Sequence, residues 1–448
     1  MKETLNHISP SFCAAKWLQV TIDLLHGTTH SCHHPARHEI PLTELKNNPS
    51  ALHNTNFKKY TRNQMLSGVR PKECEYCWLI EDLSSDMLSD RYLKSLDTWS
   101  LPHLARLSNM PWDSDVNPTY LEVMFDKTCN LACAYCFAEV SSSIEKEMNE
   151  FGPYPVSNSG HRLVSSNRKF ENANPFINAF WKWLPEIFLG LRFFRITGGE
   201  PFLSPSTRTV VNFLKRNPNN DLVFSINSNL SLPQKLINEF ALLSDELLKN
   251  NHIREFELYA SVDTYGAQAE YIRFGLNYDI FLKNINSFLK ISPKTKLVLM
   301  VTFNILSIEN FQELLADVLQ LKKEYSSVLI DMSYLKDPGY LRANIATEDL
   351  VLKLVEIEKF IEENRSDDFE DGFSDYEIRK MFRVFEWIRK GTSEREERVN
   401  RSDFFSFIKE YDKRKSTSFS STFNSMNDFH KACSYAKMTL LDEVNKIS

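Results

Sequence analysis

The sequence predicts an α/β protein: a core of parallel strands joined by crossover helices at residues 101–340, preceded by a cysteine-rich segment at 1–100 and followed by a helical segment at 341–448. Three observations lead there. From Tyr120 onward, short apolar runs alternate with longer amphipathic stretches, the pattern of parallel strands and their crossovers. Seven of the eight cysteines, at positions 13, 32, 74, 77, 129, 133, 136 and 433, fall in the first third of the chain. Beyond residue 341 apolar residues recur at helical spacing, as at Leu350, Leu352, Leu354, Ile357 and Ile361.

A chain of 448 residues can bury a sizeable core, and its length suggests two or three domains. Lys plus Arg 53 against Asp plus Glu 59 leaves a net charge of -6. Without a basic excess, nucleic acid is not expected as a partner. The N-terminus has no apolar leader, and no run approaches the roughly 18 apolar residues of a membrane span. A cytoplasmic protein is expected, with no membrane association. In that compartment, clustered cysteines point to metal ligation rather than disulfides.

Cys74 and Cys77 form a C-x2-C knuckle entered through Pro71. Cys13 and Cys32 are the only other cysteines upstream. Between them, residues 18–25 alternate weakly as a strand, which a turn at His26-Gly27 would fold back toward Cys32. Four thiolates would thus converge, and four cysteines can close a structural zinc site. The histidines at 26, 30, 33, 34 and 38 offer an alternative ligand or line a solvated loop. Residues 79–118 read as a helix followed by a polar, proline-punctuated linker.

Six strands are expected in the core: Tyr120 to Phe125, Arg192 to Thr197, Leu222 to Asn227, Glu257 to Val262, Lys296 to Phe303 and Val328 to Ser333. Right after the first comes the densest chemical motif, Cys129-Asn-Leu-Ala-Cys133-Ala-Tyr135-Cys136. Three thiolates this close suit an iron–sulfur cluster that leaves one iron without a protein ligand. In parallel α/β folds chemistry gathers at the carboxyl ends of strands. There the second strand offers Gly198-Gly199-Glu200, where glycines let backbone approach a ligand and Glu200 supplies an acceptor for an ammonium group. The third offers Ser225 and Asn227, which would serve a ligand or satisfy turn backbone. Asn304 and Tyr334, after the fifth and sixth, would face the cavity. The polar stretch 141–173 is long for a structureless connection and is expected to act as a lid.

The C-x3-C-x2-C set with its aromatic Tyr135, followed one strand later by Gly-Gly-Glu, resembles the radical SAM superfamily from about residue 119 onward. The resemblance implies a partial (β/α)6 TIM-like barrel open on one side; periodicity alone does not separate this from a doubly wound sheet. It further implies a catalytic 4Fe-4S cluster on Cys129, Cys133 and Cys136 that binds S-adenosylmethionine (SAM). One electron from the cluster cleaves SAM to a 5'-deoxyadenosyl radical, which abstracts a hydrogen atom from substrate. Gly198, Gly199 and Glu200 would hold the methionine ammonium, with Tyr135, Ser225 and Asn227 also at the cofactor. Ser261-Val-Asp263 and the later Arg273 resemble the peptide-modifying branch. Arg273 would bind the SAM carboxylate or form an exposed salt bridge, and Asp263 would contact substrate or cofactor.

Phe12-Cys13-Ala-Ala-Lys16-Trp17, a Gly-x-x-x-Ser-Cys turn, Met65-Leu-Ser-Gly68, Pro71 and Cys74-x2-Cys77-Trp78 together resemble a twitch or SPASM domain, in the order of an N-terminal twitch subgroup. This implies a second, auxiliary 4Fe-4S cluster on Cys13, Cys32, Cys74 and Cys77. The aromatic tail from Phe404 to Arg414, with Phe419 and Phe423, resembles that subgroup too and would pack on the barrel's open side. Cys433 reads as a buried small side chain. The branch suggests a peptide or protein side chain as substrate. A small molecule, sugar or nucleotide, is the alternative, since ligand-bearing sequence from residue 13 leaves no room for an N-terminal peptide-recognition domain. An electron donor such as flavodoxin or ferredoxin is implied. A reading of another class is a non-catalytic iron–sulfur or zinc protein acting as redox sensor or scaffold.

Overall fold

The computed structural model describes residues 2–83, 88–157, 173–367 and 371–447. In chain order its strands are β1 (Gln19–Asp23), β2 (Thr28–His30), β3 (His38–Glu39), β4 (Tyr120–Met124), β5 (Ala132–Cys133), β6 (Phe193–Thr197), β7 (Asn219–Ser228), β8 (Ile253–Ser261), β9 (Arg273–Phe274), β10 (Lys296–Phe303) and β11 (Val328–Tyr334). Nine of them form one sheet in the order β11-β10-β8-β7-β6-β4-β1-β2-β3, while β5 and β9 pair separately. Every neighbour from β11 to β1 is parallel. The hairpin strands β2 and β3 run antiparallel.

All six expected core strands form, and from β4 to β11 each lies beside its predecessor. A doubly wound sheet reverses its order at a switch point; this stretch has no reversal, so it is singly wound. Helices Pro175–Ile187, Pro205–Arg216, Gln234–Lys249, Tyr278–Ile291 and Phe311–Glu324 supply the crossovers. Side-chain caps fix the starts of two of them: Asn174 accepts from the N–H groups of Phe176 and Ile177, with Pro175 in the first turn, and Asn277 accepts from Ile280 N.

The two faces of the sheet differ. Leu121, Val123, Phe194, Ile196, Phe224, Ile226, Leu258 and Leu299 are buried on the face that packs under the crossover helices, where Phe202, Phe240, Phe256 and Phe288 stack with one another. Each such side chain contributes about 1.5–3 kcal/mol when fully buried. The alternate residues are largely polar. One row in register across six strands runs Thr21, Glu122, Arg195, Ser225, Glu257 and Lys296. That polar face lines the cavities.

The N-terminal hairpin is part of the same sheet, because β1 pairs with β4 from Gln19↔Tyr120 to Asp23↔Met124. This segment also has a core cluster of its own around Phe12, Trp17, Met65, Trp78, Trp99 and Leu107. The stretch expected to be a linker is packed: Arg91, Tyr92, Trp99, Leu104, Leu107 and Val116 are buried. Its apolar residues are too sparsely spaced to show a period, so the sequence pattern missed them.

After β11 come helices Glu348–Glu363, Asp375–Lys390, Glu394–Lys415 and Asn427–Ile447. The second is anchored to the last strand. Ser374 and Glu377 make a capping box, and Glu377 also accepts from Lys322 Nζ at 3.0 Å and Ile330 N at 2.9 Å. Phe404, Phe407, Tyr411, Phe419 and Phe423 pack with one another and onto Tyr271, Tyr340 and Tyr154. Cys433 is buried. In the stretch expected as a lid, Ser142–Phe151 is a helix capped by Ser141; residues 158–172 lie outside the described residues. Among the described residues no helix is long and apolar enough to cross a membrane.

Candidate functional site: two cysteine-lined cavities

The motif after β4 is held by backbone before any cofactor is considered. Ala132 and Cys133 pair antiparallel with Phe274 and Arg273, and Ala134 N donates to Ile272 O at 2.8 Å. Ser142 Oγ accepts from Cys129 N at 3.0 Å, and Ser143 Oγ donates to Cys129 O at 2.6 Å. Cys129, Cys133 and Cys136 thereby line one cavity of about 640 Å³ at the carboxyl ends of the strands. Burial raises all three thiols, and Cys136, crowded by Cys129, is pushed up to about 12. Crowded, buried thiols ionise when a bound metal supplies positive charge, so the donor set fits a three-cysteine cluster site.

Gly198 and Gly199 line the same cavity. Their φ values are +85° and +40°, and a Cβ would fall 2.1 Å from Met124 Cγ at 198 and 2.4 Å from Thr128 O at 199. The turn is pressed onto the cysteine loop itself, with Gly199 N donating to Val140 O at 3.1 Å and Glu200 N to Thr128 O at 2.7 Å. Glu200 lies behind this turn, 1% exposed, rather than on the cavity wall. Its carboxylate accepts from Asn229 N at 2.7 Å, Ser228 Oγ at 2.9 Å and Phe202 N at 3.1 Å. Burial lifts it from the ordinary carboxyl range to about 7.

The other expected residues separate into layers. Asn227 lines the cavity and accepts from Arg195 Nε at 2.8 Å. Ser225 does not. Two residues earlier on β7, it sits roughly 7 Å deeper, as strand rise requires. There it donates to Glu257 at 3.0 Å and lines a lower cavity. Tyr135 and Arg273 line the upper cavity; Asp263, fully buried, stands behind them. Tyr135 Oη donates to Asp263 at 2.9 Å, Arg273 donates to Tyr135 Oη at 2.6 Å, and Arg273 Nε lies 2.9 Å from Asp263. Arg273 thus forms a buried ion pair with Asp263 rather than an exposed one, and this trio ties the Cys129–Cys136 loop to β9 and to the turn after β8. Asn304 caps a short helical turn by accepting from Leu306 N, and Tyr334 stacks on Trp387 at 4.4 Å; both departures follow from local packing at the strand ends.

Cys13, Cys32, Cys74 and Cys77 line a second, smaller cavity with Lys16, His34, Tyr76 and Arg91. Cys13 precedes the turn Ala15–Leu18, and Cys32 follows β2 with φ +136°. Cys74 and Cys77, three apart where a short 3-10 turn runs into helix Glu75–Leu83, share one side. Burial pushes Cys74 and Cys77 up to about 12. Four thiols around one small cavity fit a fully cysteine-ligated centre. Among the described residues, no three His, Cys, Asp or Glu side chains close tightly enough for a single metal ion.

The segment from His30 to Arg37 stands between the two cavities. His30, His33 and Arg37 line the first, Cys32 and His34 the second, and Pro35 both. The segment is partly solvated, with His33, Ala36 and Arg37 exposed, while other histidines of the patch have partners: His26 pairs with Asp23 at 2.7 Å, His34 bonds Asp90 at 2.7 Å and stacks on Tyr76 at 3.7 Å, and His38 bonds Thr55 at 3.0 Å. Sequence reading missed Thr21, Asp23, Arg37 and Glu122, which line the first cavity, and Arg195, which lines the lower one and bonds Asn227. A signal was present in the polar residues that interrupt otherwise apolar strands, such as Glu122 and Arg195.

No protein-family model matches the chain, and no curated protein matches it. Among solved structures, native anSMEcpe with bound AdoMet is similar at 15% identity and a TM-score of 0.36, over 57% of this chain and 64% of that one. A histidine-tagged form of anSMEcpe, also with bound AdoMet, is similar at 16% identity and a TM-score of 0.36, over 57% and 61%. The match thus spans less than two thirds of those chains.

Proposed function

We propose that this chain is a radical SAM enzyme. The observation that carries the reading is the convergence of Cys129, Cys133 and Cys136 on one cavity whose wall continues into the Gly198-Gly199 turn. Three thiolates would hold a 4Fe-4S cluster and leave one iron for SAM. When bound, the cluster supplies the electron that cleaves SAM to a 5'-deoxyadenosyl radical, which takes a hydrogen atom from substrate. The chain's own residues bind and orient: the glycine turn brings backbone to the methionine end, Asn227 faces the same space, and Tyr135, Asp263 and Arg273 brace the loop.

In this reading residues 101–340 form a partial barrel, 1–100 a twitch-like domain with an auxiliary 4Fe-4S cluster on Cys13, Cys32, Cys74 and Cys77, and 341–448 a helical extension. The protein works in the cytoplasm with flavodoxin or ferredoxin as electron donor, on a peptide or protein side chain. The volume of the first cavity favours a second substrate reading: about 640 Å³ that must also hold SAM suits a small molecule such as a sugar or nucleotide.

The test is anaerobic reconstitution with iron and sulfide, then reduction in the presence of SAM. Release of 5'-deoxyadenosine that disappears when Cys129, Cys133 and Cys136 are changed to Ala supports the assignment. Protein holding both clusters intact and releasing none sinks it, and leaves the non-catalytic redox or scaffold reading.

A further inference from the structure

Around the second cavity positive charge is buried beside the thiols. Lys16, 2% exposed, lines the cavity with Cys13, Cys32, Cys74 and Cys77 and donates to Glu73, the residue before Cys74, at 2.6 Å. Arg91, also 2% exposed, lines the same cavity. Each cation has a carboxylate partner: Glu73 holds Lys16 and Glu81 holds Arg91 at 2.8 Å.

Each of these cations is already paired with a carboxylate, and a centre with four thiolates, which is anionic, would add to that compensation. For a redox centre there is a second consequence. Reduction adds one negative charge, so a nearby cation stabilises the reduced form more than the oxidised one, and a nearby anion does the reverse.

We infer that Lys16 and Glu73 are positioning residues that set the reduction potential of the auxiliary cluster, Lys16 raising it and Glu73 lowering it. The inference rests on the reading of the second cavity as an iron–sulfur site. Arg91 is a poorer probe because it also donates to Phe12 O at 2.9 Å and so holds the fold, whereas the hydrogen bond of the Lys16 ammonium goes to Glu73. Electrostatics predicts shifts of opposite sign for the two partners. A merely structural pair would not.

The full chain is reconstituted anaerobically with Cys129, Cys133 and Cys136 changed to Ala, so that any cluster belongs to the second cavity. Redox titration followed by electron paramagnetic resonance then gives its midpoint. Lys16→Gln is expected to lower the reduced-to-oxidised ratio at a fixed potential about tenfold, which is about 59 mV for one electron. Glu73→Gln is expected to raise it, and the double variant to return toward the parent. Shifts of the same sign, or none, overturn the inference while a full iron count leaves the cluster reading standing. Zinc in place of iron in the parent overturns both. Should Lys16→Gln not hold a cluster, Glu73→Gln decides alone: a rise supports the inference, no change or a fall overturns it.

Discussion

At the scale of single residues, the glycine turn after β6 does two things at once. Gly199 combines φ +40° with a Cβ position 2.4 Å from the Thr128 carbonyl, so only glycine lets the two loops touch there, and the same turn lines the first cavity. Gly199→Ala is expected to cost about 2–4 kcal/mol in unfolding free energy and to loosen the Cys129 loop, read as loss of reconstituted iron. A variant as stable as the parent with a full iron count would contradict that. Glu200 makes a separate prediction. Because burial lifts its folded pKa to about 7, the native protein keeps a proton that the unfolded chain has lost. Its contribution is therefore most favourable at pH below the ordinary carboxyl range and is lost as pH rises toward about 7, on the order of 3 kcal/mol. Urea unfolding across that window should show the decline, flattened in Glu200→Gln. At this scale the spacing of Cys129, Cys133 and Cys136 and the Gly198-Gly199 turn were legible in the sequence, and these residues line one cavity. The sequence did not reveal that Glu200 turns inward to the end of β7, whose partners lie 28 and 29 residues on, or that Arg273 pairs with Asp263, because side-chain direction at a strand end is set by the tertiary fold.

At the scale of elements, the core strands and crossovers were legible because their apolar runs and amphipathic stretches have clear periods and caps. The pairing of β1 with β4 was not. A strand's pattern shows that it is half buried but not beside which neighbour it lies. The missed ladder between β5 and β9 is two residues long, too short for any period. A different long-range device joins the C-terminal helices to the core, where Lys322 and Glu377, both fully buried, bridge helix Phe311–Glu324 to helix Asp375–Lys390 beside β11. Lys322→Met leaves the Glu377 carboxylate buried without its cation and is expected to cost about 3–5 kcal/mol. Thermal unfolding of this variant and of the Lys322→Met/Glu377→Met double checks the mechanism: recovery in the double supports it, and an equal or larger loss contradicts it.

At the scale of the whole molecule, one sheet places two cysteine-lined cavities side by side, with the segment from His30 to Arg37 between them. The hairpin that delivers Cys32 is continuous with the strand that delivers Cys129, which is why the N-terminal segment shapes the first cavity through Thr21, Asp23 and Arg37. The central claim is that the first cavity holds a cluster with an iron open to SAM. The most direct measurement is the electron paramagnetic resonance spectrum of the reduced protein with and without SAM, in a variant carrying Cys74→Ala and Cys77→Ala so that the signal comes from the first cavity. A spectrum that changes on adding SAM, with the signal lost when Cys133→Ala is added, is the predicted result. A cluster signal that SAM leaves untouched would contradict the account.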